Sequence, residues 1–170
     1  MNRKAKVCMI GATGVGKTSL VERYVSSTFS DVYRTTIGVK VETRRVERPS
    51  ATLDMVVWDL SGEDEFQSVQ LSYLRGASGN LLVIDGTRRE TIDVAYGLEG
   101  RAKNAVGPVP LVVVLNKVDS VATWEIGPKD TQAMAARGWS IVRASAKRGD
   151  GVEEAFDQLA DAISNTRSWS

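Results

Sequence analysis

The sequence predicts an α/β fold, a mostly parallel six-stranded sheet with one antiparallel strand and helices on both faces. Two observations carry this: short apolar runs alternate along the chain with helix-like stretches, and most runs are continuously apolar. Continuous apolarity marks strands buried on both faces, and strands alternating with helices build a parallel sheet between helical layers. A third observation supplies the exception. The segment "VKVETRRVE" (39–47) alternates apolar with polar residues, as a strand with one wet face does.

In chain order, the run at 6–10 reads as a strand leading through a glycine-rich turn into a helix over 17–27. The 39–47 strand pairs antiparallel with 52–58 through a turn at Pro49-Ser50. A helix over 65–75 precedes a strand at 80–85, and a helix over 91–105 precedes one at 110–115. A helix over 130–137, a strand at 139–144 and a helix over 152–164 close the chain. No internal repeat, low-complexity tract or linker interrupts this order, so one domain over residues 1–170 is expected.

Composition narrows the function. A 170-residue chain that is 42% hydrophobic can bury one sizeable core. Charges nearly cancel, 22 Lys plus Arg against 21 Asp plus Glu, and Arg3, Lys4 and Lys6 form only a small basic cluster. That balance gives no field for nucleic acid or an anionic membrane. The longest apolar runs, "LLVI" (81–84) and "LVVVL" (111–115), fall far short of the ~20 residues a membrane-spanning helix needs. The N-terminal apolar run continues into a glycine-rich loop, unlike a secretion signal. Cys8 is the only cysteine, which excludes an intrachain disulfide and reads as a buried structural thiol. The absence of histidine excludes imidazole as general base or metal ligand.

The chemistry begins in "VCMIGATGVGKTSL" (7–20), where Gly11, Gly16, Lys17 and Thr18 satisfy G-x-x-x-x-G-K-[ST] between a strand and a helix. Small residues let the backbone bend so that successive N–H groups and the helix N-terminus face an anion. Lys17 then reaches the outer phosphates and the Thr18 hydroxyl binds Mg²⁺. Such a loop serves ATPases, kinases and GTPases alike.

The base is chosen elsewhere. "VLNKVDS" ends the 110–115 strand and places Asn116, Lys117 and Asp119 in N-K-x-D spacing at the carboxyl edge of the sheet, where ligands of such sheets bind. A carboxylate there can accept from N1–H and the exocyclic amine of guanine. Adenine would leave it unpaired, and a site built on a buried hydrogen bond rejects ligands lacking it. In "ASAK", after the 139–144 strand, the Ala146 N–H can donate to guanine O6.

With these motifs in this order the chain resembles a small GTPase of the Ras superfamily, closest to the Rab branch. The likeness covers about residues 5–164 and includes "YRTTIGVKV" (33–41), "VVWDLSGEDEF" (56–66) and "YLRGASGNLLVIDGT" (73–87). It implies a P-loop NTPase fold and a GTP- and GDP-binding molecular switch that hydrolyses GTP slowly with Mg²⁺. Nucleotide contacts are implied at Gly14, Val15, Gly16, Lys17, Thr18, Ser19, Asn116, Lys117, Asp119, Ser145, Ala146 and Lys147. Phe29 would lie against guanine and Tyr33 would close over the phosphates. Thr36 would give Mg²⁺ a second hydroxyl and the γ-phosphate an N–H. Asp59 would hold Mg²⁺ through water, and Gly62 would donate its N–H to the γ-phosphate. Lys17, Gly62 and Glu63 form the implied catalytic set. Segments near 30–40 and 60–75 would be the switches, ordered by the γ-phosphate and released when it leaves. Exchange factors, activating proteins and effectors are the implied partners of a cytoplasmic monomer without a direct membrane anchor.

Three departures qualify the likeness. Glu63 stands where the family usually has the glutamine that positions the attacking water. The terminal "SNTRSWS" has neither a cysteine to prenylate nor a polybasic tail, which suggests a prokaryotic Ras-like protein or a trimmed chain. Val41 replaces the phenylalanine of an aromatic triad whose other positions match Trp58 and Tyr73, residues that core packing and partner contact explain equally well. Thr13 occupies a position that varies among Rabs. Arg34 reads as a solvated charge, and Trp124, Trp139 and Trp169 carry no functional signal. The rival to a hydrolase is a GTP-binding scaffold with little or no hydrolysis, for which Glu63 argues. An adenine-nucleotide kinase or ATPase conflicts with Asn116 and Asp119.

Overall fold

A computed structural model describes residues 2–30, 39–49, 51–60 and 68–166. Its strands are β1 (Asn2–Gly11), β2 (Val39–Arg48), β3 (Ala51–Leu60), β4 (Gly79–Asp85), β5 (Leu111–Asn116) and β6 (Ser140–Arg143). Its helices are α1 (Lys17–Ser26), α2 (Ser68–Tyr73), α3 (Glu90–Val106), α4 (Pro128–Ala136) and α5 (Val152–Ser164), with one 3₁₀ turn at Val121–Thr123 that the sequence pattern does not announce. The strand order is β2-β3-β1-β4-β5-β6, parallel throughout except for the antiparallel β2–β3 pair. This is the predicted sheet.

Strand alternation splits the core into two layers. Ala5, Val7 and Met9 of β1 face one way with Leu53, Met55 and Val57 of β3, packed under α1 and α5 through Leu20, Tyr24, Phe156 and Leu159. Cys8 and Ile10 face the other way with Leu82, Ile84, Val113 and Leu115, packed under α3 and α4 through Ile92, Ala95 and Met134. The strands read as continuous apolar runs because both faces are covered. Cys8 is the buried thiol expected from the sequence: burial pushes its pKa up to about 12, and its Sγ lies 3.8 Å from the Tyr73 carbonyl.

Element ends differ from the pattern for identifiable reasons. β1 starts at Asn2 rather than residue 6 because Asn2, Arg3 and Lys4 pair with Thr52, Leu53 and Asp54, and backbone pairing does not require apolar side chains. α4 starts at Pro128, whose missing N–H costs nothing at a first helical position, and Asp130 accepts from the Gly127 N–H at 2.9 Å. α2 covers Ser68–Tyr73, shorter than the predicted 65–75, of which 65–67 lie outside the described residues. No helix among the described residues is long and apolar enough to cross a membrane.

The topology brings strand ends together at one edge. Asp85 of β4 lies opposite Asn116 of β5, Gly11 of β1 opposite Val83, and Asp59 of β3 opposite Met9. Gly11 leads into the loop before α1 and Asn116 into Lys117 and Asp119, while residues 61–67 after β3 lie outside the described residues.

Candidate functional site

The loop from Gly11 to Gly16 leaves β1 and turns into α1 through glycines that no other residue could replace cheaply. Gly16 has φ 102°, and a Cβ there would lie 2.2 Å from the Asn116 Nδ2. At Gly11 a Cβ would lie 2.5 Å from the Val83 carbonyl oxygen. Only a hydrogen fits at either place.

The carbonyls of this loop are held, one after another, by side chains from outside it. The Lys17 Nζ donates to Gly11 O and Ala12 O, both at 3.1 Å. Arg88 Nη2 donates to Thr13 O at 2.7 Å, Lys117 Nζ to Gly14 O at 3.0 Å, and Asn116 Nδ2 to Val15 O at 2.9 Å. With the carbonyls so engaged by side chains, and with the Val15 N–H turned back on Ala12 O at 3.5 Å, the loop's other N–H groups are not needed to satisfy those carbonyls. That is the arrangement an anion needs.

Lys17 is 6% exposed. Burial is the main cause that lowers its pKa, to about 8, with the Asp59 charge opposing and the Arg88 charge adding to the fall. A buried ammonium solvated chiefly by carbonyls is poised to gain from a phosphate.

Asp59 is fully buried, and its Oδ2 accepts from the Thr18 hydroxyl at 2.6 Å. Burial raises its pKa, against the Thr18 hydrogen bond and the Lys17 charge. Its Oδ1 is buried with no hydrogen-bond partner among the described residues. An orphaned carboxylate oxygen beside a hydroxyl is hard-oxygen chemistry that fits Mg²⁺. Thr18 and Asp59 are therefore brought together.

On the base side, Asn116 is a hinge pin: its Nδ2 holds the phosphate loop, and its Oδ1 accepts from the Ala146 N–H at 3.3 Å. Lys117 adopts φ 71°, a conformation that costs a non-glycine residue about 1–3 kcal/mol and is sustained by its grip on Gly14 and on Asp85, 2.8 Å away. The Asp119 carboxylate accepts from the buried Ser145 hydroxyl at 2.7 Å, and that hydroxyl accepts from the Arg148 N–H at 3.0 Å. Asp119 is thus oriented by the segment that also presents Ala146 and the exposed Lys147.

Phe29 is half-buried against the core and lines a hollow with Val21, Glu22, Val25, Lys40 and Glu42, between α1 and β2. The lining of that hollow does not include Asn116, Lys117 or Asp119. Trp58 and Tyr73 are half-buried with ring centroids 6.0 Å apart, and Lys6 Nζ lies 3.9 Å above the Trp58 ring. Val41 is 46% exposed. Tyr33, Arg34, Thr36, Gly62, Glu63 and Trp169 lie outside the described residues.

The motif reading missed Asp85, Arg88 and Arg23. The Asp85 side chain is 1% exposed and accepts from the Thr87 N–H and hydroxyl, from Arg88 and from Lys117. Burial pushes its carboxyl up, and those hydrogen bonds together outweigh burial and leave it below the usual range. An acid ending the apolar run "LLVID" was the available signal, since a carboxylate carried that deep demands cations. Arg23 of α1 donates to Ala146 O at 2.8 Å and Lys147 O at 2.5 Å, tying the base loop to the first helix.

Comparison with known proteins agrees with this geometry. A sequence model of the Ras family matches residues 6–165. Ras-related protein Rab-12 of Mus musculus, of Rattus norvegicus and of Homo sapiens are each 35% identical over 163 residues, covering 94% of this chain and 67% of the relative.

Proposed function

The chain belongs to the Ras family of GTP-binding switch GTPases, close to the Rab branch, and we propose that it is a single G domain over residues 1–170 that binds Mg²⁺ and GTP and hydrolyses it slowly to GDP and phosphate. The observation that carries this reading is the pairing of a phosphate loop whose carbonyls are all engaged from outside with an Asp119 fixed at the strand edge beside it.

In this reading the amides of Gly14 to Ser19 and the Lys17 ammonium hold the β- and γ-phosphates. Asp119 accepts from guanine N1–H and the C2 amine, and Ala146 N–H donates to O6. Thr18 and Asp59, with Thr36, would hold Mg²⁺, which when bound neutralises charge on the phosphate oxygens. Lys17 gives up carbonyl contacts for phosphate oxygens and so favours the charge that develops as the β–γ bond breaks. The segments near 30–40 and 60–75 would report the γ-phosphate to effectors, exchange factors and activating proteins.

Glu63 sets the rate in this account. An ionised carboxylate accepts a hydrogen bond from the attacking water but lacks the amide donor of glutamine and adds negative charge near phosphate. Intrinsic hydrolysis is expected to survive, with a weaker response to an arginine-supplying activator. Single-turnover phosphate release with Mg²⁺ tests this: Glu63→Ala should be slower by roughly tenfold or more. Release as fast as the parent's would favour the second reading, a GTP-binding scaffold with little hydrolysis, to which the Glu63 substitution itself points.

A further inference from the structure

Arg88 belongs to none of the motifs that identify the site, yet its guanidinium bridges two parts of it. Its Nε donates to Asp85 Oδ2 at 3.0 Å, and its Nη2 donates to Thr13 O at 2.7 Å. Lys117 repeats the pattern one residue along, with Nζ 2.8 Å from the same Asp85 oxygen and 3.0 Å from Gly14 O. Asp85 is the common anchor, saturated on its other oxygen by Thr87. Two cations, fixed on one buried carboxylate, thus hold two successive carbonyls at the crown of the loop.

The other carbonyls of the loop are held by different groups. Ala12 and Gly11 are gripped by Lys17, which must also serve the phosphates, and Val15 by Asn116. Thr13 is exposed, and Gly14 has φ 77°. A peptide with such freedom rotates unless its carbonyl is held, and rotation turns its N–H away from the anion. A planar guanidinium on Asp85 supplies a rigid, directional hold.

We propose that Arg88 is a positioning residue for the nucleotide: by pinning the Thr13 carbonyl against Asp85 it keeps the crown amides aimed at the phosphates and slows nucleotide release. The inference rests on the guanine-nucleotide reading above. It also predicts where the effect falls, on the phosphate grip and not on base discrimination, because Arg88 spends its guanidinium on Asp85 and the Thr13 carbonyl and not on the base-side residues Asp119, Ser145 and Ala146.

The test is the dissociation rate of a fluorescent GDP from the full chain, together with the affinity ratio of GDP to IDP, which lacks the C2 amine read by Asp119. Arg88→Ala should release GDP about tenfold faster, the scale of one lost charge-assisted hydrogen bond, while the GDP-to-IDP ratio stays within about twofold of the parent. Should Arg88→Ala not fold, Arg88→Gln, which cannot reach both partners at once, carries the same readout and should release GDP at least about threefold faster. Release at the parent's rate by the folded variant overturns the proposal, and so does a GDP-to-IDP ratio that falls in step with affinity. A parent that fails to hold GDP would sink the nucleotide reading and this inference with it, whereas unchanged release from a variant of a GDP-holding parent overturns this inference alone.

Discussion

The phosphate loop and the base edge solve the same problem in different ways. The loop, Gly11 to Gly16, is held in shape from outside: Lys17, Arg88, Asn116 and Lys117 reach it from α1, from the segment after β4 and from the end of β5. At the base edge the carboxylate is oriented from within its own segments, while Arg23 and Asn116 tie the backbone of Ala146 and Lys147 to their surroundings. Ser145 fixes Asp119, its hydroxyl accepts from Arg148 N–H, its N–H donates to Asp150 O at 2.8 Å, and its carbonyl accepts from Gly149 N–H at 2.7 Å. The difference has a physical reason. A loop that must offer N–H groups to an anion can spend few of them on its own carbonyls, as Val15 N–H does weakly on Ala12 O at 3.5 Å, so most donors have to come from elsewhere. A carboxylate that reads a base needs only one neighbour to orient it. Phosphate grip and base choice should therefore fail separately.

The largest separation is expected at Lys17. Lys17→Ala removes both the charge that meets phosphate and the donor that holds Gly11 and Ala12, and should weaken GDP binding by roughly 10²–10³-fold. The GDP-to-IDP ratio should hardly move. Equilibrium titration of both nucleotides checks this, and a collapse of the ratio would mean that the two regions are one cooperative unit.

A smaller effect of the same group follows from pH. Lys17 titrates near 8 in the free protein, while bound phosphate keeps it protonated. Above pH 8 binding must therefore take up a proton, and GDP affinity should fall toward a limit of about tenfold per pH unit. Folding responds with the opposite sign. The folded pKa lies below the ordinary 10.5, so burying the charged lysine costs stability below pH 8, and that cost is relieved as pH rises past 8. Calorimetric proton uptake at pH 7 and pH 9 in two buffers checks the binding half; equal uptake would place the Lys17 titration elsewhere.

The smallest effect belongs to the base edge. Ser145→Ala frees Asp119 from its one oriented contact with a hydroxyl and should narrow the GDP-to-IDP ratio by roughly twofold to tenfold, the net worth of one hydrogen bond. The advantage of GDP over GMP, which reports the phosphate grip, should stay as it was. Loss of that advantage instead would show that the base edge also shapes the loop.

How much of this was legible in the sequence follows the same division. Lys17 and Thr18, and likewise Asn116, Lys117 and Asp119, lie within a few residues of one another and at strand ends, so spacing alone places them. The mostly parallel sheet and its antiparallel β2 were readable because the other strands are apolar on both faces while "VKVETRRVE" alternates, whereas the strand order was not. The outside supports were not readable. Arg88 is 75 residues from Thr13, and Arg23 is 123 from Ala146, distances at which only the fold decides who meets whom. Asp85 was half-legible, as an acid where an apolar strand ends. Phe29 was placed by family likeness, and its hollow against α1 and β2 is a packing outcome that no local pattern encodes.

Nucleotide choice requires the phosphate loop to hold and Asp119 to read at once. The measurement is displacement of a bound fluorescent GDP by GTP, ATP and XTP, with Mg²⁺, from the parent and from Asp119→Asn. GTP should outcompete ATP on the parent by at least ~10³, the scale on which a buried hydrogen-bonding site rejects an analogue lacking its partner, and Asp119→Asn should shift the preference toward XTP. Comparable displacement of the parent's nucleotide by ATP and GTP would contradict the account.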